Sequence, residues 1–403
     1  MSKINDIYRI KGVVQHYEWG GNSLLPGLLN IQNTENKPYA EYWLGAHEKA
    51  SSLIISGNQE ERLIDFIAEN PKEILGHKVN NKYGRLPFLL KLLDVKSMLS
   101  IQVHPDKSSA EKGFEEEEKS GKPISAPDRN YKDDNHKPEI MVALSDFWLL
   151  HGFISKEKAE KLLTDEKLKP IYPVIEEYVQ DIRHAYAKIM NMDDEESDRF
   201  LKPLLNHIIP LYKEGKLSKD DPSFWAARAA LTYNSGDYTD KGIFSVYLLN
   251  LVNVKPGEAI YQGAGTLHAY LEGWNVELMA NSDNVLRGGL TNKHIDVPEL
   301  MKHVVFEEIH PQVIPAPLNE KGEFIYSSPA EDFQVSVIKS SATFTTDSVD
   351  ILFVYKGNAL IKTKNISESL FAGEAVCIPA GIEALIEPGE EGVIFRASVP
   401  ILN

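Results

Sequence analysis

A short segment occurs twice in this chain, and the recurrence limits the architecture more than any other feature. Gly257-Glu258-Ala259-Ile260-Tyr261-Gln262-Gly263-Ala264-Gly265-Thr266-Leu267-His268 aligns with Gly373-Glu374-Ala375-Val376-Cys377-Ile378-Pro379-Ala380-Gly381-Ile382-Glu383-Ala384, matching Gly-Glu-Ala at the start and Ala-Gly near the end. Glycine and proline punctuate turns, so each copy reads as turn, strand, turn. A unit used twice implies two similar β units. The surroundings agree: Ile10–Gln15, Ser52–Ser56, Leu99–Val103 and Glu139–Leu144 are short β-rich runs separated by loops and one or two brief helices. That is the texture of a mainly antiparallel β region from Ile7 to about Leu150.

The pattern then changes. Val174, Ile175, Tyr178, Val179, Ile182 and Ile189 fall at helical spacing, with Pro173 placed for a first turn. Asp198–Tyr212 and Ser223–Tyr233 read as further helices, so Ser155–Tyr233 is a helical insertion. Phe244–Val254 alternates poorly and is predicted as a strand buried on both faces. The chain of 403 residues exceeds what one core usually organises. The repeated unit resembles the second conserved motif of cupins, which are double-stranded β-helix barrels related to jelly rolls. That resemblance implies a mainly β fold with a helical insertion: two cupin barrels plus an α-helical domain. Residues 1–153 and 236–316 would form the catalytic cupin domain, 154–235 the helical domain and 317–403 a degenerate C-terminal cupin. In the motif a His ligand follows the second turn; it is His268 in the first copy, while Ala384 stands there in the second, so the C-terminal barrel is expected to hold no metal.

Other residues point to the same chemistry. Gln102 and His104, in Ile101-Gln102-Val103-His104-Pro105, are two apart on an expected strand and leave the same face. With His268 and the Glu139 of Asn135-His136-Lys137-Pro138-Glu139 they offer two imidazoles, one carboxylate and one amide oxygen. A set without thiolate suits zinc, iron or manganese better than a Cys-rich structural zinc site. One carboxylate against a divalent ion leaves the site net positive, the condition for a Lewis acid. A lone histidine near a strand is usually hydrogen-bonded or superficial, but the Gln102–His104 spacing with His268 lifts this set above that background. His136 and His294 are placed in supporting or surface positions, since Glu139 better supplies the charge.

Composition closes other routes. A formal net charge of -16 repels nucleic acid and anionic membrane surfaces, and no apolar run approaches a membrane span. The start Met1-Ser2-Lys3-Ile4-Asn5-Asp6 lacks a signal-peptide core, and Cys377 is the only cysteine, so a reducing, cytoplasmic setting is expected. An anionic substrate would need local cations; Lys91, Lys137, Arg287 and Lys293 lie close in sequence to the ligand segments. Glu115–Glu118 reads as a solvated charge run. Trp19 and Trp43 either stack on a sugar ring or fill core, the core being the commoner outcome.

Five segments resemble the type I mannose-6-phosphate isomerase (phosphomannose isomerase) family: Ala40–His47, Leu86–Lys91, Leu99–Lys107, Asn130–Glu139, and Gly263–Gly265 through Lys293. Asn-His-Lys-Pro-Glu and Ser-Asp-Asn-Val-Leu-Arg-Gly-Gly-Leu-Thr are the most specific matches. The resemblance implies one zinc per chain held by Gln102, His104, Glu139 and His268. It implies Arg287 as the active-site arginine, with Lys137, Glu277 and Tyr270 as catalytic candidates. Ser100, Lys293, Trp19 and Lys91 are the substrate-binding candidates. The implied reaction interconverts mannose 6-phosphate and fructose 6-phosphate through a cis-enediol, supplying mannose 6-phosphate for GDP-mannose synthesis. The partner would be a small sugar phosphate, the protein a monomer. Glu277, Lys137, Tyr270 and zinc-bound water remain open as proton carriers. Gly288-Gly289 stands where Ala-Gly is common, Tyr42 where residues vary, and the C-terminal third matches weakly. A cupin dioxygenase would read His-x-His with iron and need no phosphate cations; a sugar-sensing cupin would lack the ligands or the Arg287 segment.

Overall fold

The computed structural model describes residues 5–57, 59–234, 238–316 and 322–400. The fold is mainly sheet with several helices, and among the described residues the strands form an 11-stranded, an 8-stranded and a 4-stranded sheet. No described helix is long and apolar enough to cross a membrane.

The 11-stranded sheet is organised by one long strand, His268–Ala280. Its Gly273–Ala280 half pairs with Phe88–Val95 and Glu139–Ala143, while its start pairs with Phe147–Phe153 and Gln102–Val103. The register shifts between Tyr270 and Glu272, the signature of a bulge, and Gly273 follows at φ 132, where a Cβ would meet Phe147 at 2.7 Å. One strand thereby pairs with different neighbours along its two halves.

Alternation gives this sheet two unlike faces. Leu90, Leu92, Ile140, Val142, Val276 and Leu278 point away from the site into a core shared with Val335, Ile351, Phe353, Cys377 and Phe395 of the 8-stranded sheet. Lys91, Glu139 and Glu277 occupy the opposite face. The 8-stranded sheet runs in the order Glu323–Tyr326, Gln334–Ile338, Val393–Ser398, Asp350–Lys356, Ala375–Ile378, Tyr8–Lys11, Leu53–Ser56, Gln59–Arg62. The expected division placed all of 1–153 with the metal-bearing strands, yet three N-terminal strands complete this sheet, with Tyr8 opposite Cys377. Its far side closes on the 4-stranded sheet around Leu352, Ile361, Leu370, Ala384 and Ile386.

The repeat is visible in the backbone. Strands Ala259–Gln262 and Ala375–Ile378 are each entered through a glycine at φ 85 or 91 and left through one at φ 80 or 79. Glu258 and Glu374 each accept a hydrogen bond from the backbone N–H three residues earlier, at 2.7 and 2.8 Å.

Helices Lys156–Leu162, Tyr172–Gln180, Ile182–Asn191, Asp194–Lys213 and Pro222–Tyr233 fill the insertion, with Pro173 in the first turn of its helix as expected. The expected boundaries at 235/236 and 316/317 fall at or beside residues outside the described ones. Other expectations need correction. Phe244–Leu248 belongs to the helix Gly242–Leu248, and only Leu249–Val254 is a strand, with Leu251–Asn253 half-buried; a short run that is apolar but for Ser245 does not distinguish a buried helix from a buried strand. Ile10–Gln15 is broken at Gly12, and Leu99–Val103 reduces to Gln102–Val103. The N-terminal region carries more than brief helices, including Leu63–Glu69, Pro71–Leu75, His77–Tyr83 and Lys107–Lys119. The Glu115–Glu118 run is not only solvated: Glu117 and Glu118 hold the buried Arg129 at 2.9 and 2.7 Å.

Candidate metal centre and sugar pocket

Three segments far apart in sequence deliver the central cluster. Gln102 sits opposite both His268 and Arg287 in the strand register. His104 follows immediately, and Glu139 begins its own strand. Each imidazole is fixed through its Nδ1: His104 bonds the Asn284 carbonyl at 2.8 Å and His268 the Thr266 carbonyl at 2.9 Å. A carbonyl only accepts, so both Nδ1 atoms carry the proton and both Nε2 atoms are turned inward. Asn284 is locked in turn, its Oδ1 accepting from Lys132 N at 2.7 Å and its Nδ2 donating to the carbonyls of Asp133 and Asn135.

The inward atoms meet Glu139, with His104 Nε2 3.4 Å from Oε1 and His268 Nε2 3.3 Å from Oε2. All three residues are buried, and their ligand atoms lie within 4.8 Å of one another. Burial, reinforced by Lys137, pushes His104 down to about 4, so its ring is neutral at physiological pH. A bare Nε2 therefore faces a carboxylate oxygen, acceptor against acceptor, and His104 Nε2 and Glu139 Oε2 have no hydrogen-bond partner. Such pairs are costly in a dry interior, and a cation between them relieves the conflict. The Gln102 amide lies 3.2 Å from His268 Nε2, and rotating it presents its oxygen. The donor set fits a divalent ion. Lys137 sits 2.8 Å from Glu139; burial alone would raise this carboxyl, but Lys137 and His104 hold it well below the usual range.

The comparisons with known proteins agree with this geometry. Residues 7–156 match the model for the catalytic domain of type I phosphomannose isomerase. The mannose-6-phosphate isomerase of Salmonella typhimurium is 37% identical over 377 residues, covering 91% of this chain and 93% of that protein. The chain belongs to the type I phosphomannose isomerase family. Family members extend to eukaryotes: the mouse mannose-6-phosphate isomerase is 32% identical over 432 residues, covering 97% of this chain and 98% of its own. A crystal structure of the Salmonella typhimurium enzyme bound to substrate and a zinc atom superposes with a TM-score of 0.87 at 34% identity, covering 98% of this chain and 100% of that one.

Beyond the cluster, the site face of this family member carries a buried chain of charges. Glu277 accepts from the Tyr270 hydroxyl at 2.8 Å, and Lys91 lies 3.4 Å from both Glu277 and Glu41. The Lys91 ammonium also stands 4.9 Å from the Trp43 ring centre, and the Trp43 indole N–H donates to Glu41. Burial, then the Glu139 charge, raises Glu277; burial and the neighbouring carboxylates raise the Tyr270 hydroxyl. Burial would lower Lys91, but Glu41 and Glu277 outweigh it and hold it charged.

Arg287 is different. It is half-buried and its pKa is lowered by burial alone, with no acidic partner among the described residues. Lys293 reaches the surface, but partial desolvation of its ammonium and then Arg287 lower it. Two neighbouring cations with no salt bridge to a carboxylate among the described residues suit a dianion.

Ser100 is half-buried two residues before Gln102. Trp19, partly buried, stacks on Tyr17 at 5.9 Å and packs one side against the cluster of Leu93, Val95 and Tyr270, whereas Trp43 is buried in core. His136 bonds Asp332 at 2.9 Å instead of joining the cluster. Of the two glycines 288 and 289, the first is faced by the side chains of Tyr186, Ile101 and Leu267, and the second by the backbone of Gly242, whose Cα a Cβ would meet at 2.5 Å. A cleft of about 770 Å³ lined by Lys82, Arg85, Asp134, His136 and Asp332 lies beside the metal residues, none of which lines it. Sequence reasoning missed Glu41, Asn284 and Asp283, the last lying 2.5 Å from Lys49 and 3.6 Å from His47. All three stand inside the family segments, but nothing in their local spacing announces the partner.

Proposed function

We propose that this chain interconverts mannose 6-phosphate and fructose 6-phosphate, with one zinc ion held by Gln102, His104, Glu139 and His268. The observation that carries the reading is the approach of the neutral His104 Nε2 to the Glu139 carboxylate, two acceptors that a divalent cation reconciles. When bound, zinc supplies Lewis acidity that favours negative charge on a substrate oxygen. Arg287 and Lys293 take the phosphate, the guanidinium through its planar fork. A proton then moves between C2 and C1 through a cis-enediol. Lys137, Glu277 and Tyr270 are the chain's own candidates to take and return it; Lys91 and Tyr270 keep the Glu277 carboxylate in place. Ser100, Lys91 and Trp19 remain the further pocket candidates.

The same reading assigns 1–153 with 236–316 to a catalytic cupin barrel that lends its strands Tyr8–Lys11, Leu53–Ser56 and Gln59–Arg62 to the neighbouring sheet, 317–403 to a degenerate second barrel and 154–235 to a helical domain; the matched glycine conformations support the pairing of the two repeats. It also includes a monomer in the cytoplasm whose product supplies GDP-mannose synthesis. Metal analysis of the purified protein coupled to an isomerase assay on mannose 6-phosphate tests the proposal. Zinc bound together with turnover is expected; a metal-free protein that turns over at full rate would sink it.

A further inference from the structure

The loop that carries these two cations is held by a carboxylate outside the family's ligand segments. Asp240 Oδ1 accepts from Gly242 N at 2.7 Å and from Leu290 N at 2.8 Å, and its Oδ2 accepts from Thr291 N at 3.0 Å. The loop it grips has an uncommon shape. Leu290 sits at φ 52 and Gly289 at φ 121, and a Cβ on Gly242 would meet Leu290 N at 2.6 Å. A non-glycine residue in the left-handed region costs free energy and persists only where surroundings impose it. Here the imposing group is the Asp240 carboxylate, which collects N–H groups from both of two backbones too close for a side chain to lie between them. The opposite side of the loop is fixed by the sheet, where Gly288 N donates to Ile101 O at 2.8 Å and Ile101 N to Gly289 O at 3.0 Å. Arg287 stands immediately before this clamp and Lys293 shortly after it. The segment bearing Asp240 is itself tied to the helical region, since Lys241 Nζ donates to the Met192 carbonyl at 2.7 Å and the Met190 carbonyl at 3.3 Å.

We propose that Asp240 is a positioning residue for substrate recognition: by holding the backbone of Leu290 and Thr291 against Gly242, it sets the separation of Arg287 and Lys293 to that required by a sugar phosphate. This rests on the phosphate role of those two cations. A displaced cation weakens a charge-assisted contact steeply, so the effect falls on binding of the phosphorylated sugar and not on the metal cluster. Through Asp240 the helical insertion becomes part of the substrate-selecting apparatus.

The experiment compares Asp240→Asn, Asp240→Ala and Arg287→Ala in the full-length zinc-loaded protein, measuring KM and kcat on mannose 6-phosphate, turnover of free mannose, competition by inorganic phosphate, zinc content and melting temperature. Asn keeps one acceptor oxygen and Ala none. The expected result is a graded rise in KM for mannose 6-phosphate, on the order of tenfold for Ala and less for Asn. Phosphate competition should weaken in parallel, with kcat, zinc content and turnover of mannose near the parent values. If Asp240→Ala fails to fold, Gly289→Ala, which drives a Cβ into the same contact, provides the second variant and should raise KM in the same way. Unchanged KM in the Asp240 variants, or proportional losses on both sugars, would overturn the inference. If Arg287→Ala itself leaves phosphate selectivity intact, the phosphate reading fails instead; if Arg287→Ala abolishes selectivity while Asp240→Ala preserves it, only the role of Asp240 fails.

Discussion

The turn that ends at His268 and the turn that ends at Ala384 share their glycine conformations, yet the first sets an imidazole against a carboxylate and the second sets a methyl group in a core with Ile338, Leu352 and Ile386. One backbone solution thus serves two purposes, and the side chain at a single position tracks which. The region of the His104–Glu139–His268 cluster tolerates buried acceptors without partners and a chain of interior charges. Around Ala384 the C-terminal region packs aliphatics instead, and its 8-stranded sheet lends a face to the back of the site strands. Organised polar atoms on one face of the site sheet are matched by close packing on the other, which keeps the strands carrying Lys91, Glu139 and Glu277 from shifting.

The contrast is broken most directly by exchanging the decisive side chains. His268→Ala or His104→Ala should remove bound metal and activity together, whereas Ala384→His should gain no metal and lose about 1–3 kcal/mol of stability from overpacking. Elemental analysis showing full occupancy in the first pair, or a second ion in the third variant, would erase the distinction. Next in size is Arg287→Ala, expected to lower kcat/KM on mannose 6-phosphate on the order of a hundredfold, with Lys293→Ala acting mainly on KM by about tenfold. Arg287→Lys should not rescue a site that uses the planar fork. Equal proportional losses on free mannose would remove the phosphate from the argument. Gln102→Glu should keep its metal but slow turnover roughly tenfold, because a second carboxylate cancels the ion's net charge; an unchanged kcat would show that this charge is immaterial.

The smallest effect separates the two regions by the sign of a pH dependence. Burial, only partly offset by Arg396, pushes Asp350 of the C-terminal sheet up to about 7, against about 3.9 in an unfolded chain. Its contribution to stability is therefore complete below pH of about 4 and lost as pH rises through about 7. For Asp283, beside the metal region, His47 and Lys49 overcome burial and hold the carboxyl well below the usual range. Its contribution is present above pH of about 4 and disappears in acid. Melting curves across pH 3 to 8 should show Asp350→Asn flattening the decline toward neutrality and Asp283→Asn costing stability at pH 7 while converging on the parent in acid. Parallel pH profiles for both variants and the parent would contradict the assignment.

Much of this was legible in the sequence because it is local. The close spacing of Gln102 and His104 shows in the sequence, although the strand ends at Val103 and His104 lies just beyond it; the repeat shows in its glycines, and the helical insertion shows in its spacing and in Pro173. What was not legible depends on distant partners. The segment Phe244–Leu248 is apolar except for Ser245, and five residues with a single polar position do not separate a helical from a strand period, so packing against helix Pro222–Tyr233 and the strands makes it helical. Glu41 becomes the partner of Lys91 only when its strand pairs with Phe88–Val95. Asp240 and Asp283 likewise acquire their roles from loops that folding brings to them, and an aspartate in a loop has no pattern of its own to betray this.

The pairing of Tyr8–Lys11 with Ala375–Ile378 has a consequence for how the protein is made. Ribosomes extend a chain at roughly 5–20 residues per second, so the first strand waits on the order of tens of seconds for the last part of its sheet to emerge. Through that interval one edge of the strand lies open and the back of the site strands lacks its cover, a window for chaperone binding or mispairing. Chains halted before residue 375 should accordingly accumulate as aggregates rather than as partly active protein, even though all residues of the metal cluster have already been synthesised.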